Sequence, residues 1–129
     1  MSNMMTMQVS LVETTAGTAE TVYVAMPSAN EWKLQAAYFA PDANVTSNDT
    51  NYATIALKQG ATSLASEATT TTDLGSLTAG TAVALAMTAG TGASREFGAG
   101  DSVTVAVTKT GTGAALVGAV SLAFEKIVS

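Results

Sequence analysis

The stretch Gly100-Asp-Ser-Val-Thr-Val-Ala-Val-Thr-Lys-Thr-Gly-Thr-Gly-Ala-Ala-Leu-Val-Gly-Ala-Val-Ser-Leu-Ala-Phe124-Glu decides how this chain folds. Val103, Val105 and Val107 alternate with Thr104, Ala106 and Thr108, the period-two pattern of a strand with one buried face. Val120, Leu122 and Phe124 alternate in the same way with Ser121, Ala123 and Glu125. Between them lies Thr110-Gly-Thr-Gly-Ala-Ala115, small residues suited to reversing the chain. A hairpin symmetric about that linker sets Val105 opposite Val120 and Val103 opposite Leu122, with all four on one face.

The totals fit the same fold class. A chain of 129 residues is expected to bury one core of ordinary size. Only 12% of residues are charged while 47% are hydrophobic, which is not a disordered composition. Thr dominates the neutral polar residues and suits the outward face of a strand. The net charge is −5, and the five basic residues Lys33, Lys58, Arg95, Lys109 and Lys126 are scattered. Nucleic acid is therefore not an expected partner, because holding phosphates takes grouped Lys or Arg. The first residues lack the charged and apolar regions of a secretion signal. Residues 74–94 are long and uncharged but interrupted by Gly75, Gly80, Gly90 and Gly92, so no membrane partner is expected either.

Moving outward from the decisive stretch, residues 1–8 read as a Met-rich N-terminal arm and 9–129 as a single β-sandwich domain. Met7, Val9 and Leu11 open a first strand, and Val22, Val24 and Met26 a second that Pro27 ends. Trp32, Leu34, Ala36 and Tyr38 predict a third, closed by Pro41. Residues 42–51 form the most polar segment and predict an exposed loop. Ile55 and Leu57 mark a fourth strand that stops before Gly60. Residues 61–77 fit strand better than helix because Thr69-Thr-Thr-Thr72 is a poor helical run. Val83, Leu85 and Met87 mark a short strand before a Gly-rich loop, 89–99, that carries Arg95, Glu96 and Phe97. About eight short strands without a helix predict an all-β fold, an antiparallel, jelly-roll-like β-sandwich.

Chemistry is hard to place on this chain. With neither Cys nor His, the commonest nucleophile–base pairs and most zinc and copper sites are excluded. Gly111-Thr-Gly113 with Gly118 leads into a strand, not a helix, and so cannot cradle a phosphate as dinucleotide loops do. Asp42-Ala-Asn44-Val-Thr46 spaces oxygens as calcium loops do, but Ser47 replaces the turn Gly and Ala53 the closing Glu. Ser102 beside Asp101 has no base to activate it, and Asp101 reads as the cap of the turn entering the strand. Asn44 and Asn48 head glycosylation triplets that mean little without a secretion signal. No catalytic residue, metal ligand or cofactor is expected. Trp32, the single Trp, serves either as a cap on the core or as an interface anchor. Met4, Met5 and Met7 suit an adaptable contact surface or an edge strand, and Phe97 is a third place where a subunit or capsid contact is expected.

The order of elements resembles a known family. Trp32 opens a strand ending Ala-Tyr-Phe-Ala-Pro-Asp42, and Asn51-Tyr-Ala-Thr-Ile-Ala-Leu57 follows the polar loop. Next come Thr69-Thr-Thr-Thr72, Leu77-Thr-Ala-Gly80-Thr, Val83-Ala-Leu-Ala-Met87, Phe97-Gly-Ala-Gly-Asp-Ser-Val103 and Gly111-Thr-Gly113. Over residues 20–125 this run resembles the small capsid decoration, or cement, proteins of tailed bacteriophages. The resemblance implies a structural virion protein on the outer surface of the capsid, commonly a homotrimer. Its partner there is the major capsid protein, whose neighbouring subunits it cements. It implies no catalytic residues. The resemblance extends to a different class, a receptor- or carbohydrate-binding jelly-roll module of a phage tail or fibre. That reading needs exposed aromatics, with Tyr52 and Phe97 as candidates.

Overall fold

The computed structural model describes residues 4–12, 17–25, 31–87, 96–98 and 100–127. Within them the chain forms nine strands and no helix: β1 (Met4–Leu11), β2 (Glu20–Ala25), β3 (Trp32–Pro41), β4 (Tyr52–Gln59), β5 (Thr62–Ala68), β6 (Val83–Ala84), β7 (Glu96–Phe97), β8 (Ser102–Thr110) and β9 (Gly118–Lys126). A five-stranded sheet runs β1-β9-β3-β6, with β7 also on β3, and a four-stranded sheet runs β2-β8-β4-β5. Every pairing is antiparallel. With the two-residue β7 set aside, these two orders are the double Greek key of a jelly roll. The fold class expected from alternation alone is the one observed.

The hairpin is not. The strand β8 lies in the four-stranded sheet between β2 and β4, while β9 lies in the other between β1 and β3. Val105 pairs with Val22 and Leu57. Val120 pairs with Val9 and Phe39, and Leu122 with Met7 and Ala37. The connection between the two strands explains the difference. Gly111 and Gly113 both take positive φ, 64° and 75°, and Leu116 is buried, which anchors the segment in the core between the sheets. Hairpin loops are typically two to about five residues, whereas this longer crossing carries its own core side chain. A true hairpin does occur at β4–β5, where Gln59 pairs with Thr62 around Gly60, whose φ is 60°.

The core is what the alternation selects. Val103, Val105 and Val107 with Ile55 and Leu57 meet Val120, Leu122, Phe124, Leu34 and Phe39 from the opposite sheet, and all are buried. Each large side chain contributes roughly 1.5–3 kcal/mol on burial. Phe97 and Phe124 pack edge to face, 5.8 Å between centroids and 87° between planes.

Two other expectations change. The arm assigned to residues 1–8 is, from Met4 onward, the first half of β1, paired residue by residue from Met4↔Glu125 to Gln8↔Ser121. Strand β9 supplies the hydrogen-bonding partner, and Met5 and Met7 pack against the core, so the segment has reason to be ordered. Thr69-Thr-Thr-Thr72 is not strand: β5 ends at Ala68 and the chain turns. There Thr69 is buried, and its hydroxyl accepts the Ala53 N–H at 3.2 Å. Met26, Pro27 and Arg95 lie outside the described residues, as do residues 1–3 of the arm.

Candidate interaction surface

The pairing register gathers four of the five expected contact residues at one end of the five-stranded sheet. Met5 pairs with Phe124, which pairs with Leu34, one row of inward-facing residues. Trp32 pairs with Lys126 on one side and Phe97 on the other. Met4 pairs with Glu125, and Glu125 with Lys33, which in turn faces Glu96, an outward row of alternating charge. Met7 sits farther along β1, opposite Leu122.

Their exposure separates them. Met4 is 48% exposed on the outer face, while Met5 and Met7 are half-buried against the core. Trp32 is also half-buried and packed on the core, which fits the capping role. Phe97 is only 1% exposed. That corrects its assignment as a contact residue, and equally its use as an exposed aromatic for carbohydrate: its ring is spent on Phe124. Tyr52 is half-buried in β4. The aromatics that do reach solvent are Tyr23, at 72%, and Tyr38, at 46%. They stand on opposite sheets and so do not form one platform. Strand alternation could have pointed to both, because each is flanked by core-facing neighbours.

Beside Phe97 a small cleft is lined by Glu31, Glu96, Gly98 and Asp101. Asp101 Oδ2 accepts the Gly98 N–H at 2.8 Å, the turn-capping role its sequence position predicts. No group of three or more candidate metal ligands occurs among the described residues.

The outer face of the five-stranded sheet is nearly uncharged. Beyond the Glu125–Lys33 row come Thr6–Ala123–Ala36, then Gln8–Ser121–Tyr38–Ala84, then Ser10–Ala119–Ala40. A bulge between Leu34 and Ala36, at the exposed Gln35, shifts the register but brings no charge into these rows.

The polar loop 42–51 is tied down rather than free. Val45 is buried and bridges Leu77. Asn44 Oδ1 accepts the Ala79 N–H at 2.8 Å, so the oxygen considered for a cation is committed to backbone. Asp49 accepts from both the backbone N–H and the hydroxyl of Thr71, at 2.8–2.9 Å. Those bonds hold its carboxyl below the ordinary carboxylate range, the backbone bond most of all. Nearby, Glu67 is pushed up to about 7, first by sharing a hydrogen bond with the Asp73 carboxyl, then by burial and by the charge of Asp73. Glu67 Oε1 also accepts the Ala86 N–H at 3.3 Å, while Asp73 Oδ2 accepts the Ala68 N–H at 2.7 Å.

No family model matches this chain, and no curated protein matches it. Among solved structures it is similar to a chain from the structure of infectious bursal disease virus, Gx strain, at 15% identity and a TM-score of 0.38. The likeness covers 94% of this chain and 32% of that one, so this chain spans about a third of its length. It is a weak likeness to a chain from a virus, and it locates no site.

Proposed function

We propose that this chain is a structural protein of a virus particle, and more narrowly that it binds the outside of a tailed-phage capsid and joins neighbouring major capsid subunits. The observation that carries this reading is the outer face of the five-stranded sheet. Its central rows, Thr6–Ala123–Ala36, Gln8–Ser121–Tyr38–Ala84 and Ser10–Ala119–Ala40, hold no charge on a chain whose net charge is −5. Such a surface desolvates at lower cost than one of Lys and Glu. Its short side chains lose little rotamer entropy on docking. Tyr38, near the middle, is the residue type that anchors interfaces. The order of elements that resembles the decoration proteins supports the same role independently of this face. A rigid jelly roll presenting a neutral face is a binding body rather than an enzyme, in this reading.

The test is electron microscopy of particles assembled with and without this protein, followed by binding of Tyr38→Asp to expanded empty shells. Added density on the outer shell and stoichiometric binding, lost in Tyr38→Asp with its circular dichroism unchanged, is the expected result. Absence of binding to shells sinks the proposal, and selective binding on a glycan array assigns the chain to a receptor-binding module instead.

A further inference from the structure

The four long edges of the sandwich are not treated alike. The outer edge of β3 is occupied by β6 and β7, and the Leu85 N–H donates to the Ala37 carbonyl at 2.8 Å. The outer edge of β5 is met by Met87, which bridges Ala65, and by the Ala86 N–H on Glu67. Strand β2 is six residues long and carries Glu20 on the core-facing side, in step with Val22 and Val24. Inward-pointing charge is one way natural sheets keep an edge from pairing. Glu20 Oε2 takes the Val12 N–H at 3.4 Å, and Oε1 is buried with no hydrogen-bond partner. Among the described residues, strand β1 carries no such device between Thr6 and Ser10, and the Val12 N–H just past its end is held by Glu20. The eight residues of β1, Met4–Leu11, contain no charge and no Pro, run without a bulge along β9, and have no described strand beyond them.

We propose that the outer edge of β1 pairs with the same edge of a second copy, antiparallel about a two-fold axis at Gln8, joining two five-stranded sheets into one. Charge selects the occupant. In a chain of net charge −5, the uncharged β1 is where two copies approach with least repulsion. Burial agrees: Met5 and Met7 face the core yet stay half-buried, while Val9 and Leu11 on the same strand are buried. A second strand laid along this edge covers them, and Met adapts readily to such a contact.

The pattern also fixes the register. An axis at Gln8 sets Met7 against Val9 and Met5 against Leu11 on the inner face. On the outer face it sets Thr6 against Ser10 and Met4 against Val12. Met4 and Val12 are the two large apolar side chains of this segment left exposed, at 48% and 69%. The pairing is isologous, so it consumes the β1 edge of both copies and stops at two. It differs from the three-fold association implied by the resemblance, and mass tells them apart.

The experiment is sedimentation and native mass spectrometry of the full chain, alone in solution, with Gln8→Lys and Gln8→Glu. Gln8 is exposed on the outer face, so both variants are expected to keep the wild-type circular dichroism. The wild type is expected at twice 12.9 kDa, each variant alone at one mass, and an equal mixture of the two variants at twice again. The chain has no cysteine, so Gln8→Cys is expected to cross-link to itself under mild oxidation while Thr21→Cys on β2 does not. A monomeric or trimeric wild type overturns the proposal, as does a dimer that survives both Gln8→Lys and Gln8→Glu.

Discussion

The two long sides of this sandwich are finished differently. On the side of β5 and β6 the chain stitches the sheets together: Leu85 bonds to β3, and two residues on, Met87 bridges β5. Leu85 is buried and Met87 packs against the core, so the crossing also plugs the gap between sheets. On the side of β1 and β2 the described residues provide one link, the long bond from Val12 to Glu20. Met5, Met7, Val22 and Val24 there face inward but remain partly exposed. A jelly roll needs its sheets held together, but one closed side and a shared core suffice for that. The other side is then available for contact.

The largest effect is expected where both sides depend on one strand. Strand β9 lies between β1 and β3, and at Gly118 it approaches β3 closely. A Cβ there would overlap the Ala40 carbonyl oxygen and meet Pro41 Cα at 2.9 Å, with φ already at 157°. Gly118→Ala must push backbone apart and is expected to destabilise by about 3–4 kcal/mol in urea denaturation. A loss below about 1 kcal/mol would mean that the two strands can separate here without cost to either side.

The sides themselves are compared by matched truncations. Leu85→Ala leaves a cavity in the closed side and is expected to cost about 2–4 kcal/mol. Met7→Ala, half-exposed on the open side, is expected to cost roughly 1 kcal/mol in the isolated chain. Equal losses would remove the distinction between the sides. Hydrogen exchange sharpens it further. In a variant held monomeric by Gln8→Lys, amides on the outer edge of β1 are expected to exchange faster than those of β5 by at least about tenfold.

Alternation located the core almost residue by residue, because a buried face leaves a period-two trace whichever strand it later pairs with. For the same reason it could not reveal the partner. Val103, Val105, Val120 and Leu122 point inward whether β8 and β9 pair edge to edge or face each other across the core. Only Leu116, buried just after the Thr110–Ala115 linker, separates the two arrangements, and a Leu-Val pair next to an alternating strand is a faint signal. The Gly-rich segment flanking Phe97 reads as loop, whereas two residues of pairing to Trp32 and Lys33 turn its ring inward. For Met4, Met5 and Met7 the edge-strand alternative is the one the pairing bears out, but Met gives little strand signal, and the partner that orders the segment lies more than a hundred residues away.

The smallest expected effect tests how the closed side is held. Glu67 joins the Asp73 turn and the Ala86 backbone, and its carboxyl titrates near 7 instead of at its ordinary 4.5. The folded chain therefore keeps a proton there that the unfolded chain releases between about 4.5 and about 7. This group's contribution to stability is fully present below the lower value, declines as pH rises through that window, and stays lost above it. Glu67 is partly exposed to solvent, so screening limits the change to about 1 kcal/mol or less. Asp49 acts in the opposite sense, since its lowered value contributes stability that is lost only in more acid solution. Urea midpoints measured from pH 4.5 to 8 are expected to fall for the wild type and to run flatter for Glu67→Gln. Gln keeps an oxygen for the Ala86 N–H while its amide can donate to Asp73, so the clamp survives without the proton. If the variant retains the wild-type slope, the two carboxyls do not share a proton, and the closed side is held by Leu85 and the Met87 bridge alone.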